Sequence, residues 1–238
     1  FLESGRSQPS RETVIVLSDC LDVPIRERNQ LLHAAGFAPL YSEEAIDSRR
    51  LEEARRAVED VLSSHRPFPA LLVDRAWNTF GANACAGALF GRFVHSPQSY
   101  DWDAGVNAIR LCIEDAGMKP YIDNLGPFLH SVLGQLKTEL QRALVHAEMS
   151  QLVADIDKTL QSLEVAAAPA HNELPIGCLR LRRDDTALAL FTMVSTFNFP
   201  LDATIAELRV ETFFPADEAT RAYLVAMDEA MQSATAEA

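Results

Sequence analysis

The chain has 238 residues, 48% of them hydrophobic and 23% charged, a composition that fits one large or two modest globular domains and excludes disordered and collagen-like chains. No apolar run reaches the ~18 residues needed to span a bilayer, and no basic segment followed by an apolar stretch opens the sequence, so the expectation is a soluble, cytoplasmic protein without a membrane partner. The 34 acidic and 21 basic residues give a net charge of −13, the wrong sign for a protein whose whole surface meets nucleic acid.

Any contact with DNA therefore has to be local, and the start of the chain is electrically distinct: residues 1–36 carry a net −1, the remaining 202 a net −12. Phe1-Leu2-Glu3-Ser4-Gly5 reads as the last turn of a helix closed by Gly5. Ser10 is an N-cap for a helix over 11–21, with Val14, Ile15, Leu17 and Leu21 on its apolar side. Val23-Pro24 ends it. A second short helix over 25–35 carries Leu31, Leu32 and Ala35, with Gly36 just past its end. Two helices of this length cannot bury a core alone.

Residues 37–47 lack a sustained period and read as a connector. The spacing of Leu51, Ala54, Val58, Val61 and Leu62 predicts an amphipathic helix over 48–64, stopped by Pro67 and Pro69. A short strand at 70–74, a turn at Arg75-Ala76-Trp77-Asn78 and a second short strand precede a small-residue-rich helix over 83–93. Helical pattern returns at 106–115 and over 125–163, broken near Ser150. After a flexible connection at 164–175 the sequence turns to strand, at 177–183, 188–197 and 205–214, with Asp184-Asp185 as a hairpin turn. In the last strand Leu208, Val210, Thr212 and Phe214 alternate with Glu207, Arg209, Glu211 and Phe213, the period of two of a sheet with one buried face. A helix over 217–231, with Leu224, Met227 and Met231 on one stripe, closes the chain. The expected class is α+β, with about five antiparallel strands facing helices.

Catalytic motifs are absent: there is no H-E-x-x-H, G-x-S-x-G, P-loop or G-x-G-x-x-G, and no enzyme is expected. Cys20, Cys85, Cys112 and Cys178 are scattered and read as buried free thiols without a metal or disulfide framework. His146-Ala147-Glu148 matches the H-x-E of zinc deaminases, but no P-C-x-x-C follows, and it reads as a helix-surface histidine. Trp77, Asn78 and Asn83 either present polar groups to a small molecule or serve the turn and the helix cap. Phe90, Leu111, Phe191, Met193 and Phe197 either line an apolar cavity or fill it. Arg6, Ser7, Ser10 and Arg11 gather hydroxyl, guanidinium and backbone N–H groups at a helix N-terminus, the kit that holds a phosphate.

The segments Leu2-Glu3-Ser4-Gly5-Arg6-Ser7-Gln8-Pro9-Ser10-Arg11-Glu12, Leu21-Asp22-Val23-Pro24-Ile25-Arg26-Glu27-Arg28-Asn29 and Leu32-His33-Ala34-Ala35-Gly36-Phe37-Ala38-Pro39 resemble the second half of an XRE-type helix-turn-helix. Together with Pro69-Ala70-Leu71-Leu72-Val73-Asp74-Arg75-Ala76-Trp77-Asn78, Ala82-Asn83-Ala84, Asn107-Ala108-Ile109-Arg110-Leu111, 200–208 and 211–217, the sequence is similar to bacterial regulators that carry a MmyB-type ligand-binding domain of PAS-like fold. The resemblance implies a one-component transcription factor with residues 1–36 as the C-terminal part of the helix-turn-helix, 37–47 as connector and 48–238 as the sensor. It implies double-stranded DNA and a homodimer partner, with the opening helices of the DNA-binding unit, some 35 to 45 residues, preceding Phe1. It further implies no cofactor but an apolar ligand such as a fatty acid, held by Trp77, Asn83, Phe90, Arg110, Leu111, Phe191, Met193, Phe197, Leu208 and Val210. Arg110 or Arg180 is the expected partner for a ligand carboxylate, Phe191→Arg the substitution expected to abolish uptake, and the 37–64 segment the expected coupling element. The alternative is a PAS-like dimerisation module without a ligand.

Overall fold

A computed structural model describes residues 7–21, 23–41, 52–102, 104–142, 147–163, 178–196 and 207–236. The Ser10 hydroxyl accepts a hydrogen bond from the Thr13 N–H at 3.1 Å and starts α1 (Arg11–Cys20); α2 (Ile25–Ala34) follows. Gly36, at φ +83°, takes the left-handed conformation that closes a helix without steric cost. The apolar stripe expected for α1 is only partly used. Val14 is buried, but Val16 (52% exposed), Leu17 (45%) and Leu21 (73%) face outward.

The remaining elements are α3 (Glu52–Ser64), β1 (Ala70–Val73), β2 (Thr79–Ala82), α4 (Ala84–Phe93), α5 (Ala108–Ile113), α6 (Leu125–Arg142), α7 (Ala147–Ser162), β3 (Cys178–Arg183), β4 (Thr186–Thr196), β5 (Arg209–Pro215) and α8 (Glu218–Ala236). Both α6 and α7 fall in the helical stretch expected over 125–163, and Asp184, at φ +52°, makes the tight β3–β4 turn. The fold is α+β. All five strands form one antiparallel sheet in the order β2-β1-β5-β4-β3.

Strand periodicity sends alternate side chains to opposite faces. On one face Val58 and Leu62 of α3 pack on Ala70, Leu72, Leu208 and Val210. On the other, Leu71, Val73, Leu179, Leu181, Leu188, Leu190 and Phe213 meet the helices, and the core continues through Leu89, Phe93, Leu129, Leu136, Ile156 and Leu224. Cys85, Cys112 and Cys178 are buried free thiols as expected, whereas Cys20 is exposed at the end of α1.

The second N-terminal helix, α2, is tied to this unit by charge. Arg75, in the β1–β2 turn and only 8% exposed, reaches Glu27 of α2 at 3.1 Å and Glu139 of α6 at 3.5 Å. Glu139 in turn holds Arg209 of β5 at 3.0 Å, and Arg26 of α2 pairs with Glu207 at 2.8 Å. Buried pairs of this kind contribute little net stability but are costly to break on one side, which fixes the relative placement of their elements.

Candidate functional site

Between the sheet and α4, α5 and the 97–106 loop lies a cavity of about 720 Å³, within the size range of small-molecule sites. The sequence of α4 explains why space remains there. Ala86, Gly87, Phe90 and Gly91 recur at i, i+1, i+4 and i+5 on the face that lines the cavity, one face of a helix by its 3.6-residue period. A Cβ added at Gly87 or Gly91 would meet no atom within 4 Å. Small residues on that stripe leave the sheet uncovered where larger ones would have filled it.

The edge strand β2 contributes all four of its residues to the wall. Thr79 anchors the neighbouring loop: its N–H and its hydroxyl donate to the Val106 carbonyl at 2.9 and 2.6 Å, and its hydroxyl oxygen accepts from the Val106 N–H at 3.1 Å. Gly105 fits there at φ +83°, where a Cβ would stand 2.8 Å from the Thr79 carbonyl oxygen. Deep in the cavity Leu71, Leu111, Cys112, Met118, Leu179 and Phe213 are all buried, and Phe90 meets Phe213 edge-on at 4.9 Å. At the mouth Phe80 and Trp102 are about half exposed, at 52% and 46%.

Glu211 is the exception to this apolar lining. It sits in register opposite Leu71 of β1 and Val194 of β4. Burial pushes its carboxyl up to about 7, although hydrogen bonds from Trp77 and Thr192 act the other way by favouring the ionised form. The Cys112 thiol is driven up to about 12, first by burial and then by the Glu211 charge, so it is no nucleophile at neutral pH. Trp77 is held to its task by an ordered turn. The Asp74 carboxylate accepts from the N–H groups of Ala76 (2.8 Å) and Asn78 (2.9 Å) and from the Asn78 side-chain amide (2.9 Å), which leaves Trp77 at φ +64° and 4% exposed.

The sheet, the cavity and the helices around it lie in the stretch 54–227, which matches the family model of the MmyB-like transcription regulator ligand binding domain. The chain belongs to this family. A search of curated proteins finds no match to the chain. Membership assigns the MmyB-like domain a ligand-binding role in transcription regulators. Among the described residues no cluster of three or more His, Cys, Asp or Glu side chains is arranged to hold a metal ion, and no helix is long and apolar enough to cross a membrane.

Of the residues singled out from sequence, the MmyB-like domain brings Phe90 and Leu111 together in the cavity lining. Trp77 is buried behind it, beside Glu211 rather than at the mouth. Asn83 is spent on structure: its amide oxygen accepts from the N–H groups of Ala86 (2.9 Å) and Ala70 (3.1 Å), and its NH₂ donates to the carbonyls of Leu62 (3.1 Å) and Phe68 (2.9 Å). Arg110 turns toward α7 and pairs with Asp155 at 2.9 Å, and Arg180 is exposed. Neither Arg110 nor Arg180 lines the cavity.

Phe191 and Met193 lie on the opposite face of the sheet. Phe191 stacks on Phe214 at 5.2 Å, and Met193 is 56% exposed. Leu208 and Val210 also belong to that face, under α3. The expected grouping of these four with Phe90 around one cavity is corrected by strand parity, since a shift of one residue moves a side chain to the other face. Thr192, Glu211 and Phe213 hold the cavity positions instead. At the other end of the chain Ser7, Ser10 and Arg11 are exposed around the start of α1. Phe197, Arg6, His146 and most of the 37–47 connector lie outside the described residues. Sequence reasoning missed Glu211, Phe80 and Trp102. For Glu211 the signal was there: an acidic residue in phase with Phe213 on a strand whose other face already carries Leu208 and Val210.

Proposed function

We propose that the chain belongs to a one-component transcription regulator in which residues 48–238 form a PAS-like sensor for a small, largely apolar ligand such as a fatty acid, and residues 1–36 are the C-terminal part of a helix-turn-helix that binds double-stranded DNA as a homodimer. The observation that carries this reading is the cavity of about 720 Å³ inside the family-matched segment, apolar at depth and flanked at its mouth by exposed aromatic side chains. An assembly module without a ligand has no need of such a space, because interiors otherwise pack to near crystal density. A five-stranded antiparallel sheet flanked by helices supports the PAS-like description. The outward Val16, Leu17 and Leu21 of α1 support a larger helical unit around α1 and α2.

Signalling requires that the ligand favour one arrangement of the regulator over another. The ion pairs Arg75–Glu27 and Arg26–Glu207 join α2 directly to the sensor, beside the 37–64 route expected from sequence. Comparison of native and denaturing mass spectra of the purified protein tests the reading, followed by operator binding with and without the released compound. Release of an apolar small molecule that changes DNA affinity is the expected result. A protein that carries no ligand and binds none from a panel of lipids is a dimerisation module.

A further inference from the structure

Among the described residues that line the cavity, Glu211 is the one carboxyl group. Among the described residues that line it there is no lysine, arginine or histidine. Arg209 shares the cavity-facing side of β5 but gives its guanidinium to Glu139 at 3.0 Å. Arg110 is engaged with Asp155. The groups that face Glu211 are the Trp77 indole, the Thr192 hydroxyl and the Cys112 thiol, with Leu71 and Val194 beside it on the neighbouring strands. Trp77 and Thr192 are its polar neighbours, and both favour its ionised form. A carboxyl group offers about four acceptor positions when ionised, so capacity remains for a group inside the cavity.

A carboxylate drawn into this space would meet a like charge in a low-dielectric setting without a counter-ion, which is unfavourable. A hydroxyl, amide or ammonium group would meet a ready acceptor. We propose that Glu211 is the specificity-determining residue of the cavity, anchoring the polar head of an amphipathic ligand whose head donates a hydrogen bond, an alcohol, amide or amine, and discriminating against a carboxylate anion. The proposal rests on the reading of the cavity as an apolar ligand site and, within it, puts an amphipath with a donor head in place of an ionised fatty acid. Burial of the Glu211 carboxyl, with its proton held up to about 7, adds a consequence: a carboxylic acid gains entry only as the pH falls and a proton is shared between the two acids.

Calorimetric titration of the whole chain with decanol, decylamine and decanoate, which share one apolar tail, tests this. At about pH 8.5 decanol and decylamine are expected to bind at least about tenfold more tightly than decanoate, one pKa unit's worth of discrimination. That gap should narrow toward about pH 6, where Glu211 is largely protonated, and shrink several-fold in Glu211→Gln. Decanoate binding as tightly as decanol in the unmodified protein at about pH 8.5 overturns the proposal, whether or not the variant folds, and leaves the apolar-ligand reading intact. Failure of all three probes to bind overturns the apolar-ligand reading itself and the proposal with it.

Discussion

On one face of the sheet Ala70, Leu72, Leu208 and Val210 meet Val58 and Leu62 of α3 in a packed core; on the other, one residue along the same strands, Leu71, Glu211 and Phe213 look into a cavity of about 720 Å³. The strands supply apolar side chains to both faces. What differs is the helix that faces them. The α3 helix offers branched side chains at Val58 and Leu62, while α4 offers Ala86, Gly87 and Gly91. Packing follows the volume brought by both partners, so a ligand-sized space opens where one partner is small.

This contrast can be broken most forcefully from the filled side. Leu72→Ala removes a side chain only 6% exposed beneath α3 and should lower unfolding free energy by about 3 kcal/mol, read from the denaturant midpoint, while the folded fraction keeps its ligand affinity. Filling the open side should do the reverse. Gly91→Leu places a side chain where nothing lies within 4 Å of a Cβ; uptake of an apolar probe should drop at least about tenfold, while replacing a helix glycine adds roughly 0.5–1 kcal/mol of stability. A thermal melt and a binding isotherm on the same sample separate the two effects.

A smaller effect distinguishes the faces through pH. Glu211 holds its proton up to about 7 when folded, against an ordinary value of 4.5, so between those values the folded state binds more protons than the unfolded one. This contribution is therefore greatest at low pH and is lost as pH rises through about 7. Glu211→Gln should remove that fall, seen as a difference between the stability–pH curves of the two proteins. The smallest change is expected on the outer face. Met193→Lys, at a position 56% exposed, should alter stability by no more than about 0.5 kcal/mol, and Phe191→Arg should leave uptake unchanged because Phe191 packs on Phe214 away from the cavity. Loss of uptake in Phe191→Arg without loss of fold would contradict the assignment of the faces.

The architecture was largely legible from sequence because its signals are local. Ser10 and Asn83 cap α1 and α4, Pro67 and Pro69 separate α3 from β1, and the period of two in 208–214 marks β5. The cavity was legible only in part. Phe90 and Leu111 lie on helices whose apolar stripes are unambiguous, and they line it. On β5 both faces carry apolar residues, Val210 and Phe214 on one and Phe213 on the other, so alternation alone does not say which face α3 covers. That choice is made by tertiary packing, and with it the position of Glu211. Trp77 was hidden for another reason: its inward turn depends on φ +64°, a backbone state that a bulky residue takes only when surrounding bonds impose it.

The chain has two tryptophans, and the fold sets one at the cavity mouth and the other behind the cavity wall. Trp102 stands half in solvent at the mouth, and Trp77 is buried with its indole against the Glu211 carboxyl. Their emission is therefore separable by wavelength, the exposed indole to the red and the buried one to the blue, without any label. A tail crossing the entrance changes the first, and a head group or proton arriving at the carboxyl changes the second. The molecule thus carries an optical gauge of which end of its chamber is occupied.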